Sequence, residues 1–279
     1  MAGTLHIVGT PIGNLGDMSA RGIETLKSVK AVAAEDTRHI RRLMTHFGIG
    51  NRLVSFREQN RERMAGEILE LLREGDVALV TDAGMPCISD PGTYLVARVR
   101  EAGFCVTAVP GPAAVTTAVA LSGLAAGGFV FIGFLPRHRP DMMEALSKAS
   151  KAGLALVVYE APGRVRETLE VARDALGDVT AVIARELTKI HEEVVTGNLT
   201  TLIASLPPEP MGEFVIIFEP APEKAAGPDI EAIRLEIRKQ LESGRHVKDT
   251  SRMISTVFGL GGKEAYELAL EERDRLAGR

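Results

Sequence analysis

Three loops rich in glycine and proline have the residue types expected of a small-molecule binding site. They read GTPIGN at residues 9–14, DAGMP at 82–86 and PGPAA at 110–114, and each follows an apolar, strand-like run. Small residues let the backbone approach a ligand closely, while proline stiffens the turn. Because open α/β sheets bind ligands outside the carboxyl ends of their strands, the three loops predict a rigid cleft for a nucleoside-sized molecule.

Several other kinds of site lack their motifs. The glycine spacing of dinucleotide-binding enzymes and the P-loop pattern of nucleotide hydrolases are both missing, which argues against hydride transfer and nucleotide hydrolysis. The six histidines are scattered, and Cys87 and Cys105 form no paired motif. We therefore predict no metal site and no covalent nucleophile.

Two adjacent carboxylates, Glu35 and Asp36, directly follow a short apolar run at residues 31–34. Carboxylates at a strand end could orient a ribose or accept a proton from it. Asp36 could equally cap the helix that follows, and the sequence leaves both interpretations open.

An arginine-rich stretch begins at the same place. Between Thr37 and Arg63 there are seven arginines against only Glu58 and Glu62, although the whole chain carries a net charge of −4. Such a patch can recognise phosphates even on an acidic protein. Composition alone favours a solvated helix face instead.

The elements that must position these residues alternate between short apolar runs and amphipathic stretches as far as about residue 135. This alternation predicts a parallel sheet covered by helices on both faces. The second half has strong apolar runs at 154–160 and 214–219 with a different spacing, which predicts a second α/β domain with a mixed sheet. We predict a first domain at 1–135, a second at 136–220, and a linker with a helical extension at 221–279.

The overall composition agrees with an ordinary globular enzyme. Of 279 residues, 45% are apolar and 25% are charged, and the length suits two modest domains. No apolar run approaches the roughly 20 residues of a membrane-spanning helix, and the first residues lack a signal-peptide pattern. We expect a cytoplasmic protein with no membrane contact.

Longer strings carry a resemblance to a known family. VGTPIGNLGDMSARGIETL, AAEDTR, VTDAGMPCISDPG, YEAPGRVRETL, ARELTK and MGEFVIIFE occur in the family's order. Together they resemble the ribosomal RNA small subunit methyltransferase I family, a branch of the tetrapyrrole methylases, over about residues 4–219. The resemblance implies two α/β domains with S-adenosylmethionine in the cleft between them. It also implies a homodimer that methylates the ribose 2′-oxygen of a decoding-centre cytidine in 16S ribosomal RNA, within the small ribosomal subunit.

The resemblance also implies which residues contact the cofactor. A cofactor-binding Gly-Asp-Pro tripeptide of the porphyrinoid relatives falls on Gly84, Met85 and Pro86. Methionine replaces its aspartate, so we expect a backbone contact there. The residues expected at the cofactor are Pro11, Ile12, Gly84, Met85, Ile88, Ala113 and Ala114 from the first domain and Tyr159, Leu187 and Glu213 from the second.

RNA contacts and proton transfer follow on the same basis. The resemblance favours phosphate binding by the arginine-rich stretch, for which we name Arg38, Arg41, Arg42 and Arg57. A ribose hydroxyl is a poor nucleophile near neutral pH, so we expect Glu35 or Asp36 to act as a general base. Alternatively, Lys189 could lower the pKa of the hydroxyl by its charge.

Two other functions remain open at this point. A methyltransferase acting on a corrin or porphyrin intermediate would need no arginine patch and would act on a small free substrate. A non-catalytic RNA- or nucleotide-binding protein with the same fold would not consume S-adenosylmethionine.

Overall fold

The computed structural model describes residues 3–89, 92–220, 230–258 and 260–277, and within these ranges ten strands form two sheets. The first sheet consists of β1 (Thr4–Val8), β2 (Ala31–Ala34), β3 (Arg52–Ser55), β4 (Val77–Val80) and β5 (Cys105–Val109). Its order is β3-β2-β4-β1-β5, and every pairing is parallel. The helices that follow these strands in turn are α1 (Ala20–Ser28), α2 (Thr37–His46), α3 (Arg61–Glu74), α4 (Thr93–Glu101) and α5 (Ala114–Ser122).

Burial on both faces explains the parallel arrangement. Every residue of β2 and β4 is buried, and a strand covered on both sides needs apolar side chains throughout rather than alternation. The parallel sheet predicted from the sequence is confirmed. The sequence pattern missed β3, because only Val54 among its four residues is buried.

The second sheet is mixed, as predicted. It contains β6 (Phe129–Phe134), β7 (Ala155–Glu160), β8 (Thr180–Arg185), β9 (Glu193–Asn198) and β10 (Phe214–Phe218), in the order β6-β7-β10-β8-β9. The β6–β7 pair is parallel and the other three pairs are antiparallel. The accompanying helices are α6 (Arg139–Ser150), α7 (Val165–Leu176) and α8 (Leu199–Ser205).

The junction between the two sheets lies earlier than the sequence suggested. We predicted that the second domain starts at residue 136, but β6 pairs with β7 and so belongs to the second sheet. The proline-rich stretch at 135–140 connects β6 to α6. We propose that the second domain begins in the loop between α5 and β6.

The chain divides into two units, residues 1–221 and 222–279, and the second unit is helical. Its helices are α9 (Ile230–Glu242), α10 (Val247–Phe258) and α11 (Gly262–Ala277), which confirms the helical extension. The predicted linker falls at 221–229, outside the described residues. Glu272 of α11 is buried among these helices. Burial would raise its pKa, but hydrogen bonds from Arg238 and Arg234 hold that pKa below its usual value.

None of the described helices is both long and apolar enough to cross a membrane.

The three glycine- and proline-rich loops meet at the carboxyl edge of the first sheet. The Gly9 amide donates to the Val109 carbonyl at 3.1 Å, and Thr10 and Gly84 exchange backbone hydrogen bonds of 3.0 and 3.1 Å. A Cβ on Gly111 would lie 2.9 Å from backbone atoms of Gly9. The loops after β1, β4 and β5 therefore pack backbone against backbone, at a distance that only glycine allows.

Replacing Gly111 by alanine tests this contact. Backbone atoms of Gly9 cannot move aside as a flexible side chain would, so we expect Gly111→Ala to lower the free energy of unfolding by about 1–3 kcal/mol. The matched control is Gly66→Ala in α3, where an added Cβ meets nothing within 4 Å. That control should raise stability by about 0.5–1 kcal/mol. Chemical denaturation measures both, and equal stability of Gly111→Ala and the unchanged protein would contradict the close packing.

Candidate active site

A cavity of about 390 Å³ lies between the two sheets. The first sheet contributes the loops after β4 and β5 together with Ile12. The second contributes the end of β7, the loop after β8 and the start of β10. This volume lies within the range of small-molecule sites.

Most of the residues expected at a cofactor meet in this cavity. Its lining includes Ile12, Gly84, Met85, Ile88, Ala113, Ala114, Tyr159, Leu187 and Glu213. Among the described residues, Pro11 is not part of the lining. Pro11 directly precedes Ile12, which does line the cavity.

Other lining residues were not among the expected cofactor contacts. They include Phe134, Ala161, Pro162 and Gly212. Ala161 and Pro162 directly follow a strand end, in the string YEAPGR, and this position was the available signal. Phe134 gave no signal, because a phenylalanine in a strand usually packs in a core, whereas this side chain is 58% exposed.

Tyr159 joins the two sides of the cavity. Its hydroxyl accepts a 3.1 Å hydrogen bond from the Val115 amide in the first turn of α5, where a helix has amide groups without intrahelical partners. Its ring makes edge contacts with Phe131 and Phe134, at centroid distances of 4.8 and 5.6 Å. Tyr159 therefore fastens the second sheet to a helix of the first.

The loop after β8 holds Lys189 between two carboxylates. Its ammonium donates to Glu186 at 2.9 Å and to Glu213 at 2.8 Å. Burial would lower the pKa of Lys189, but these two hydrogen bonds outweigh it and raise that pKa. Lys189 thus remains charged and is neutralised locally by its partners.

The same loop is strained where it touches the first loop of the other sheet. Glu186 and Thr188 adopt left-handed conformations, with φ of 50° and 66°, which costs about 1–3 kcal/mol for each residue other than glycine. A Cβ on Gly13 would lie 2.5 Å from Lys189 and 2.8 Å from the Thr188 hydroxyl. This contact lies next to Leu187, which lines the cavity.

The charged groups of the cavity are acidic. Glu160 is 2% exposed and accepts hydrogen bonds from the Thr168 hydroxyl at 2.6 Å and the Ala161 amide at 2.8 Å. Glu213 adds a second carboxylate. Both carboxylates have cationic partners, Glu160 with Arg164 at 3.6 Å and Glu213 with Lys189 at 2.8 Å. Among the described residues no lysine or arginine lines the cavity, so only the acidic members of these pairs do. Such a lining accepts a neutral or cationic ligand and disfavours a polyphosphate.

A shallow polar depression of about 590 Å³ lies at the carboxyl ends of β2, β3 and β4. It is lined by Glu35, Asp36, Arg57, Gln59, Asn60 and Asp82. Asp82 directly precedes Ala83, which lines the cavity, so one loop contributes to both spaces. The sequence placed Asp82 in the ligand-binding loop at 82–86 but gave it no role of its own, although it stands at a strand end like Glu35.

Glu35 and Asp36 differ in their environments. Asp36 caps α2 by accepting from the Arg38 amide at 2.8 Å, and bonds from the Arg38 side chain and backbone lower its pKa to about 2. Glu35 is partly buried, and burial together with the nearby Asp82 raises its pKa. Asp36 does act as the cap that the sequence allowed, which leaves Glu35 as the more basic of the two carboxylates.

The arginines named for RNA contact fall into two groups. Arg38, Arg41 and Arg42 are exposed and lie on one side of α2, since residues three and four apart share a helix face. Arg57 lies in the depression, where its Nε donates to the Glu35 carbonyl at 2.9 Å. Elsewhere in the arginine-rich stretch, Arg52 is paired with Glu67.

No group of three or more potential metal ligands occurs in the described part of the chain.

Known proteins resemble the chain along most of its length. Residues 4–203 match the family described as Tetrapyrrole (Corrin/Porphyrin) Methylases. The chain is 40% identical over 273 residues to a Synechocystis sp. protein named ribosomal RNA small subunit methyltransferase I, which covers 96% of this chain and 98% of that protein. A protein of the same name from Xylella fastidiosa is 44% identical over 238 residues, or 84% of this chain and 87% of that one. A crystal structure of diphthine synthase shares the fold with a TM-score of 0.62 at 17% identity, covering 77% of this chain and 90% of that one.

Removing the Tyr159 hydroxyl tests the link across the cavity. We expect Tyr159→Phe to lower the free energy of unfolding by about 0.5–1.5 kcal/mol, because the Val115 amide loses its partner while the ring contacts remain. Tyr94→Phe is the control, since its ring lies over Arg61 and its hydroxyl has no hydrogen-bond partner among the described residues. Denaturant unfolding measures both variants, and equal stabilities would show that the hydroxyl fastens nothing.

Proposed function

The chain belongs to the ribosomal RNA small subunit methyltransferase I family of the tetrapyrrole methylases, and on this premise we propose that it transfers a methyl group from S-adenosylmethionine to the ribose 2′-oxygen of a decoding-centre cytidine in 16S ribosomal RNA. The observation that carries the proposal is the loop that contains Asp82 and Ala83. Ala83 lines a nucleoside-sized cavity, and Asp82 lines a depression that contains Glu35 and Arg57. A methyl donor and a nucleotide could thus meet at this point.

The cavity suits S-adenosylmethionine in its charge and walls. The cofactor is a nucleoside with a sulfonium cation, and the cavity combines apolar walls with the carboxylates of Glu160 and Glu213. Ile12 and Leu187 offer apolar surface, and the backbone of Gly84, held by its bonds to Thr10, lies at the floor. When bound, the cofactor supplies an electrophilic methyl carbon and a neutral thioether leaving group.

The helix α2 supports RNA as the second ligand. Arg38, Arg41 and Arg42 present their charges on one exposed face, and α2 begins directly after Glu35 and Asp36. Phosphate contacts fix the position of a nucleic acid without reading its sequence. An arginine face beside the depression would hold the RNA backbone while one ribose enters.

Glu35 is the group that we assign as proton acceptor. Its carboxylate receives no hydrogen bond from a described residue, whereas Asp36 is occupied by Arg38 and Lys189 by two carboxylates. A methyl transfer to oxygen needs alignment and removal of the hydroxyl proton. In this assignment the hydroxyl O–H bond breaks, the proton passes to a carboxylate oxygen of Glu35, and the oxygen electron pair forms the new bond to carbon.

We further propose that the chain acts as a homodimer on the small ribosomal subunit. Two apolar side chains are open to solvent: Leu121 at the end of α5 is 50% exposed, and Phe129 at the start of β6 is 38% exposed. Like the edge strand β5, these side chains are uncovered in the single chain, and we propose them as contacts of a homodimer. A decoding-centre target is a folded surface, so we expect the small ribosomal subunit in the cytoplasm to be the substrate.

A methylation assay tests the function directly. The purified protein is incubated with radiolabelled S-adenosylmethionine and either small ribosomal subunits from cells lacking the activity, naked 16S RNA, or a porphyrin intermediate. We expect label in a ribose-methylated cytidine and more of it in assembled subunits. Label in the porphyrin alone would replace the proposal with a small-molecule methylase. Cofactor binding without label in any substrate would indicate a non-catalytic protein.

Substitution of the two carboxylates tests the proton acceptor. We expect Glu35→Gln to lower kcat by about 100- to 10,000-fold, the usual contribution of a general base. Asp36→Asn is the matched control, because asparagine can still cap α2, and it should retain most of the activity. Binding of S-adenosylmethionine is measured by calorimetry for both variants. Near-normal turnover by Glu35→Gln would remove the carboxylate base from the mechanism.

A further inference from the structure

Two neighbouring strands bring a second carboxylate to Glu35. In the first sheet β2 pairs with β4, with Ala34 opposite Val80. Glu35 directly follows Ala34, and Asp82 comes two residues after Val80. Both strands run in the same direction, so their carboxyl ends deliver Glu35 and Asp82 to one depression. Neither the sequence motifs nor the resemblance gave Asp82 a role.

The two carboxylates have unequal surroundings. Asp82 Oδ1 accepts a 3.2 Å hydrogen bond from the Asp36 amide, so one of its oxygens is occupied. The Glu35 carboxylate receives none from the described residues, and its side chain is partly buried. Glu35 is therefore the carboxylate of the pair whose oxygens are open to a hydroxyl proton.

The surroundings of Glu35 shift its pKa in opposite directions. Burial is the largest influence and raises the pKa of Glu35, and Asp82 is the next largest and raises it further. Arg57, which follows β3, lowers that pKa, and Asp36 raises it by a smaller amount. Asp82 is thus the strongest single charge that acts on Glu35 from another strand.

We propose that Asp82 is a positioning residue for methyl transfer, whose negative charge in the same depression keeps Glu35 a strong proton acceptor. The inference rests on the proposed function, since it needs a hydroxyl that approaches Glu35. Asp82 does not itself take the proton. It acts through Glu35, and its charge is the property that matters.

Replacing Asp82 by asparagine isolates the charge. Asparagine keeps an oxygen that can accept from the Asp36 amide, so the loop retains its hydrogen bond while the carboxylate charge is lost. Glu35 must be ionised to accept a proton, so the rate falls as pH falls through its pKa. Without Asp82 that pKa is lower, and we expect the acid limb of the kcat profile to move to lower pH in Asp82→Asn. At neutral pH kcat should fall by about 3- to 10-fold, because a weaker base transfers the proton less readily, while KM for the RNA changes less than about twofold.

A second measurement does not depend on turnover. Carbon NMR of protein labelled at the glutamate carboxyl carbons follows the titration of Glu35 directly, with the signal assigned by its loss in Glu35→Gln. Its midpoint should lie at lower pH in Asp82→Asn than in the unchanged protein. Asp82→Glu should restore both the NMR midpoint and the acid limb, and Asp82→Ser provides a second uncharged variant if asparagine disturbs folding.

The outcomes separate this inference from the function itself. An unmoved NMR midpoint in both uncharged variants overturns the role of Asp82, even if their turnover falls. A shifted midpoint with an unmoved acid limb also overturns it, because Glu35 would then not govern the rate. If the unchanged protein methylates no RNA but the midpoint still shifts, the proposed function fails while the coupling between the two carboxylates stands.

Discussion

The packing of three loops against one another is the constraint on which the rest of the site depends. The loops after β1, β4 and β5 approach so closely that Gly9 and Gly111 have no room for a side chain. A pair of backbone hydrogen bonds ties Thr10 to Gly84 across the same edge. Backbone that is bonded to backbone cannot shift with the rotamers of neighbouring side chains. The three loops of the first sheet therefore form a rigid side of the cavity. The residues of the second sheet complete the cavity's shape.

The second sheet is held against the first by a shared apolar core, in which Ile12, Val115 and Ala118 pack with residues of β7, β8 and β10, and by a few polar contacts. Tyr159 reaches the first turn of α5, and the strained loop at Glu186 and Thr188 presses on Gly13. Strain of this kind persists only where surrounding contacts over-determine the conformation, and here Lys189 supplies them through two carboxylates. The same ion pairs neutralise Lys189, so it adds little net positive charge beside a cavity that suits a cation.

The sequence predicted the features that depend on local pattern and missed those that depend on neighbours. Continuous apolar runs predicted the buried strands β2 and β4, and glycine with proline predicted the loops after β1, β4 and β5. The short strand β3 and the exposed edge strand β9 have too few buried residues for a recognisable pattern. Asp82 was missed for a different reason. Asp82 lies 47 positions after Glu35 in the sequence, and the pairing of β2 with β4 brings the two residues to the same depression. No local spacing of residues indicates that pairing.

In the proposed function the chain binds ligands of opposite charge, and the arrangement of its charges agrees with that requirement. A sulfonium cation favours carboxylates, whereas an RNA backbone favours arginines and is repelled by the same carboxylates. The structure separates the two demands. Glu160 is buried on the cavity side, the arginines of α2 are exposed, and at the boundary Asp36 and Glu35 are contacted by Arg38 and Arg57 respectively. The Arg57 guanidinium donates to the backbone carbonyl of Glu35 and not to the Glu35 carboxylate. Arg57 can therefore offset the carboxylate's negative charge while the carboxylate oxygens stay free of its hydrogen bonds. A proton acceptor next to a phosphate chain is possible only where its charge is offset in this way and its lone pairs stay free.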